Sequence, residues 1–128
     1  MGNEGRCNES TRCGIEKEMT IFGKIIRGEL PAEKVFENER ILAIRDKYPA
    51  APVHILILPK KEIRCLQELK TEDLPLMTEI IQLAQKLAEE FGIADGYRLL
   101  TNSGEEAGQT VFHLHFHLIG GRRLLHLG

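Results

Sequence analysis

The sequence holds little cysteine: Cys7 and Cys13 lie near the start, and Cys65 stands alone in the rest of the chain. An odd count without repeated spacing argues against a disulfide framework and leads us to expect a reducing, cytoplasmic compartment. There is no surplus of positive charge either. Seventeen Lys and Arg against 19 Asp and Glu leave a formal net charge of −2, whereas a general nucleic-acid binder needs a clear basic excess. Long apolar runs are also missing. The longest spans residues 53–58, far below the ~20 residues that a membrane-crossing helix requires, so no membrane partner is expected. Residues after Met1 contain no apolar secretory core, and Arg6 stands where a myristoylation motif has Ser or Thr. No internal repeat or low-complexity tract is present. What remains is a chain of 128 residues, 42% hydrophobic and 28% charged, an ordinary globular composition sized for one domain.

Residues 1–18 are rich in Gly, Asn, Glu, Arg and Ser, with Ile15 as the one aliphatic side chain. Such a stretch cannot offset its own ordering entropy, so we expect a disordered extension followed by one domain over 19–128. Thr20 is placed to cap a short helix whose Ile21, Phe22, Ile25 and Ile26 form one apolar stripe. Residues 33–38 and 41–45 read as a strand pair around Asn38-Glu39-Arg40. Residues 53–58 form a buried strand ended by Pro59. Leu76, Met77, Ile80, Ala84, Leu87, Ala88 and Phe91 recur at helical spacing, with Gly92 as a C-terminal stop. Residues 97–102 add another strand. Strands grouped around one long helix, without regular strand–helix alternation, predict an α+β layer with an antiparallel sheet.

Residues 111–119 read Val-Phe-His-Leu-His-Phe-His-Leu-Ile. Alternation in a strand puts Phe112, Leu114, Phe116 and Leu118 on a core face and His113, His115 and His117 on the other, with successive imidazoles ~6.6 Å apart. One explanation is a solvated strand face, although Thr, Lys, Glu or Gln would serve there more naturally. A second is a metal site. The outer histidines stand ~13 Å apart along a straight strand while metal–nitrogen bonds are ~2 Å, so we expect no metal. The third is nucleophilic catalysis. Imidazole titrates near ~6.5, so a nucleophilic ring can sit beside rings that bind phosphate or donate protons. This chemistry needs no metal or cofactor. The residues alone do not choose the substrate.

The run His113-Leu-His115-Phe-His117-Leu-Ile119-Gly120-Gly121-Arg122 resembles the signature of the histidine-triad (HIT) family, in particular its Hint branch. The resemblance extends to residues 21–32, Ala51-Pro52-Val53-His54, Pro59-Lys60-Lys61, Gly96-Tyr97-Arg98, and Asn102-x-Gly104 followed by Gly108-Gln109, covering residues 20–123. It implies a small α+β fold of about five antiparallel strands, one long helix and one short one, the sheet continuing across a homodimer. It also implies hydrolysis of purine nucleoside phosphoramidates or aminoacyl adenylates. Dinucleoside polyphosphate hydrolysis, nucleotidyl transfer, or nucleotide binding with little activity are the alternatives.

By the same resemblance His115 is the nucleophile that forms a nucleotidyl-histidine. His117 contacts the α-phosphate, His113 helps hold the central ring, and His54 supports the site. Asn102 and the loop Gly108-Gln109-Thr110 hold phosphate, Asp46 accepts from the ribose hydroxyls beside Lys47, and Ile21, Phe22 and Ile25 wall the base. Simpler roles compete: loop glycines connect strands, an apolar stripe on a short helix is usually core, Asp46 suits a turn, and His54 suits a satisfied buried position. Thr110 stands where the branch often has Ser, Glu62 where some relatives have His, and the tail from Leu124 lacks a tryptophan found near the end of some relatives. The last difference bears on leaving-group preference.

Overall fold

The computed structural model describes residues 19–126. The extension expected over residues 1–18 lies outside the described residues. Helix α1 (Ile21–Ile26) begins at Thr20, whose Oγ1 accepts from the Gly23 N–H at 3.1 Å. Capping satisfies a donor that the first helical turn leaves without a partner. Strands β1 (Lys34–Glu37) and β2 (Ile41–Arg45) pair antiparallel. Asn38 Oδ1 closes their turn by accepting from the N–H groups of Arg40 and Ile41, both at 2.8 Å.

Strand β3 (Val53–Pro59) follows, then helix α2 (Leu74–Glu90), strand β4 (Tyr97–Leu100) and strand β5 (Phe116–Gly120). The five strands form one antiparallel sheet in the order β1-β2-β3-β5-β4. Gly92 has φ +74, the left-handed conformation that stops α2.

Both faces of the sheet are covered. On one, Ile41, Ala43, Val53, Ile55, Ile57 and Leu118 pack against Ile80, Leu83, Ala84, Leu87 and Ala88 of α2. On the other, Leu42, Ile44, Leu56 and Leu58 pack against Phe22 and Ile25 of α1. Burial on two sides explains why β2 and β3 read as near-continuous apolar runs rather than alternating ones. His54 interrupts the β3 run on the α1 side, the same side as Leu56 and Leu58. Cys65 is fully buried.

The expected strand over residues 111–119 is shorter than its pattern. Only Phe116–Gly120 joins the sheet, and residues 111–115 run as bends and irregular chain. Two local causes act together. The last register pair between β3 and β5 is Ile57 with Phe116, and two residues further on Pro59 has no N–H to continue a ladder. The rings of His113 and His115 bond backbone carbonyls instead, and side-chain-to-backbone bonds of this kind compete with strand pairing.

Candidate active site

Within β5 the alternation holds. Phe116 and Leu118 join the α2-side core, which leaves His117 and Ile119 on the α1 side. His117 lies opposite Leu56 and Ile119 opposite His54, so His54 and His117 are diagonal neighbours across two strands. Their rings meet: His54 Nε2 is 2.9 Å from His117 Nδ1. His115 follows, its ring centroid 5.2 Å from that of His117. Three imidazoles therefore share one surface, with β3 supplying a member that lies outside the sequence row.

The hydrogen bonds settle where the protons sit. A neutral imidazole has one N–H and one lone pair. His115 Nδ1 lies 2.7 Å from the His113 carbonyl, which can only accept, so Nδ1 carries the proton and Nε2 keeps its lone pair. By the same argument His113 donates through Nε2 to the Pro59 carbonyl at 2.7 Å. His54 is reversed. Its Nδ1 accepts from the Ala50 N–H at 2.9 Å, so its proton sits on Nε2 and is donated to His117 Nδ1. His117 is left with its proton on Nε2. One ring thus offers a lone pair and its neighbour an N–H donor.

Burial favours the neutral form of all four imidazoles. It is the largest cause pulling His54, His113 and His115 below their ordinary value, opposed at His54 by Asp46 and at His113 by the Pro59 hydrogen bond. His117 is pushed down to about 4, first by burial and then by His115 and His54. Phe22 stands edge-on to His115 with ring centroids 4.8 Å apart, closing off one side of that ring.

Asp46, just past β2, accepts from the Tyr48 N–H at 2.8 Å and lies 3.3 Å from His54 Nε2. Lys47 is exposed beside it. Ligand atoms of Asp46, His54 and His117 lie within 4.8 Å of one another, close enough for one cation. The Ala50 bond, however, puts the His54 proton on the very atom that would ligate. The trio is arranged as a hydrogen-bonded relay.

Ile21 is 51% exposed, whereas Phe22 and Ile25 are core residues of the α1-side cluster. Only the first is open to a ligand as the chain stands. Asn102, Gly108 and Thr110 lie in the connection between β4 and β5. Gln109 is turned inward. Its Oε1 accepts from Gly104 N–H at 2.8 Å, and its Nε2 donates to Arg64 and Val111 carbonyls at 2.7 and 3.0 Å. That side chain is fully occupied in shaping the loop. A depression of about 440 Å³ is lined by Asp46, Lys47 and His54, and another of about 280 Å³ reaches His113 from α1. His115 and His117 line neither.

Three contributors escaped sequence reasoning. The Thr101 hydroxyl donates to the His115 carbonyl at 2.6 Å, while Ala50 and Pro59 act through backbone groups that no side-chain pattern reveals.

The description "HIT domain" matches residues 27–124. A HIT-like protein of Chlamydia pneumoniae is 56% identical over 83% of this chain and 96% of its own length. A HIT family hydrolase from Clostridium thermocellum superposes with a TM-score of 0.82 at 48% identity, covering 88% of this chain and 98% of that one. A histidine triad nucleotide-binding protein from Candida albicans gives a TM-score of 0.76 at 33% identity, covering 85% and 81%. This chain belongs to the HIT-domain family.

Proposed function

We propose that this chain is a nucleotide-binding hydrolase of the Hint type. It cleaves the phosphorus–nitrogen bond of purine nucleoside 5′-phosphoramidates, or the mixed anhydride of aminoacyl adenylates. The observation that carries the reading is the His115–His113 hydrogen bond, which leaves His115 Nε2 unprotonated beside the His117 N–H. The similar proteins from Clostridium thermocellum and Candida albicans, described as a hydrolase and as nucleotide-binding, support it.

In the first step the His115 Nε2 lone pair forms a bond to phosphorus and the P–N bond breaks. The leaving amine takes the bonding electrons and one proton from His117, whose protonated form is favoured once a phosphate oxyanion lies against the ring. With a second proton on His117, Asp46 is the alternative acceptor for His54 Nε2–H. Water then attacks the nucleotidyl-histidine, releases the nucleoside monophosphate, and returns the proton to His117. Asn102, Gly108 and Thr110 face the phosphate, Asp46 and Lys47 the ribose, and Ile21 the base. Phe22 and Ile25 back that wall from the core, and Gln109 holds the loop. The reaction has no metal-dependent step. The functional unit is a cytoplasmic homodimer joined through an outer sheet strand.

The test is release of AMP from adenosine 5′-phosphoramidate by the wild type and by His115→Ala, with and without chelator. Loss of roughly 10³-fold or more in kcat is expected for the variant, with a labelled nucleotidyl-enzyme trapped only in the wild type. Equal turnover by the variant rejects the reading. Tight AMP binding without turnover of any amide, ester or anhydride would point to a binding module.

A further inference from the structure

The Gly120-Gly121-Arg122 segment carries the chain out of β5 and touches none of the reacting groups, yet its geometry leads to them. Gly121 has φ +99, and a Cβ there would lie 2.9 Å from Pro52 Cβ. A side chain fits neither the backbone conformation nor the space. The chain leaving β5 therefore lies directly against the loop between β2 and β3 and turns sharply. That turn delivers Arg122 to Ala50: its Nη2 donates to the Ala50 carbonyl at 2.9 Å, while Nη1 donates to the Arg123 carbonyl at 2.8 Å. The second bond fixes the plane of the guanidinium, whose forked donors are rigid.

Ala50 is itself exposed and its methyl group has no core to hold it. Its carbonyl faces Arg122, and its N–H, on the other side of the same Cα, donates to His54 Nδ1. We propose that Arg122 is a positioning residue: by holding Ala50 it keeps the Ala50 N–H on His54 Nδ1, which fixes the tautomers of His54 and, through it, of His117. The relay runs from the Arg122 guanidinium to the Ala50 backbone, to His54 Nδ1, and from His54 Nε2 to His117 Nδ1. If Ala50 is released, Nδ1 of His54 becomes free to carry the proton. His54 Nε2 and His117 Nδ1 then both present lone pairs, or His117 reverses and loses its outward N–H.

The catalytic consequence rests on the nucleotide-hydrolase reading, but the tautomer claim does not. Long-range ¹H–¹⁵N correlation spectra of the full chain near neutral pH, assigned with His54→Gln and His117→Gln, report which nitrogen of each ring is protonated. Wild type and Arg122→Lys are expected to show His54 and His117 protonated on Nε2 alone. Arg122→Met keeps the stem without its donors and is expected to show a mixture for both rings. Because Arg122 is exposed, thermal melting should change little. With adenosine 5′-phosphoramidate, Arg122→Met should lower kcat about 10-fold at nearly constant KM, as loss of orientation does. A wild-type nitrogen pattern in Arg122→Met overturns the proposal, as does an Arg122→Lys variant no better than the methionine one. Neither spectral result depends on turnover, so failure of the hydrolase reading is seen separately through His115→Ala.

Discussion

The Thr101 hydroxyl, one residue beyond β4, donates to the backbone carbonyl of His115 at 2.6 Å. The proposed nucleophile is therefore held at three points: its carbonyl by Thr101, its Nδ1 by the His113 carbonyl, and its ring face by Phe22. Thr101→Val keeps the shape and removes the donor. A partly buried carbonyl left unpaired should cost about 1–2 kcal/mol in chemical denaturation. Turnover should fall mainly in kcat, with KM close to wild type. A change confined to KM would show that Thr101 acts on substrate and not on the nucleophile.

Acid should destabilise the fold well before carboxylates are fully protonated. His54, His113, His115 and His117 all sit below their ordinary value in the folded chain, His117 at about 4 against 6.5. Between those pH values the unfolded chain binds more protons, so stability rises with pH across the window and falls as pH drops through it. His117 alone should account for on the order of 2 kcal/mol after allowance for its partial exposure. Melting temperature measured from about pH 7 to about pH 4 should decline in the wild type and more gently in His117→Gln. Parallel curves would exclude His117 as a source of the slope.

Nucleotide binding should take up protons. A phosphate oxyanion placed against His117 favours its charged form, reversing the neutralising effect of burial. Titration calorimetry with AMP near pH 5, in two buffers of different ionisation enthalpy, should give heats that differ by net uptake approaching one proton. Buffer-independent heats would place the phosphate away from this ring.

Gln109 supports the site without facing it. Gln109→Leu would remove the side-chain partner of the Gly104 N–H and of the Val111 carbonyl, and one bond from the Arg64 carbonyl. A loss of about 2–4 kcal/mol is expected, the usual cost of breaking a buried polar network. Adding phosphate or AMP should recover only the part due to ligand linkage. A drop below about 1 kcal/mol would mean the loop re-forms its bonds another way.

Much of this was readable in advance because local signals agreed with the global fold. Thr20 caps α1, Asn38 closes the first hairpin, Gly92 ends α2, and the 116–119 alternation turns Phe116 and Leu118 to the α2-side core as its pattern says. The reading failed where a backbone group decided the outcome. Nothing in the 111–119 pattern shows that Pro59 lacks the donor its neighbour would need, or that two imidazoles would choose carbonyls over a strand position. The family resemblance put His54 and His117 at one site, but their direct contact was not legible in the residues, since they are 63 residues apart in sequence and meet only through strand register. Phe22 and Ile25 look the same in sequence whether they line a pocket or a core, and the second cluster puts them in the core.

The strand carrying His117 is the last of these five strands in chain order, yet it sits between β3 and β4. Without it, β4 loses its one pairing among the described strands and His54 loses the His117 ring that it bonds. A chain cut before β5 keeps the residues of the β1–β2–β3 pairings but lacks every partner that β5 supplies to β3 and β4. The proposed centre and the completed sheet therefore stand or fall together, so a chain cut before β5 should be inert rather than partly active.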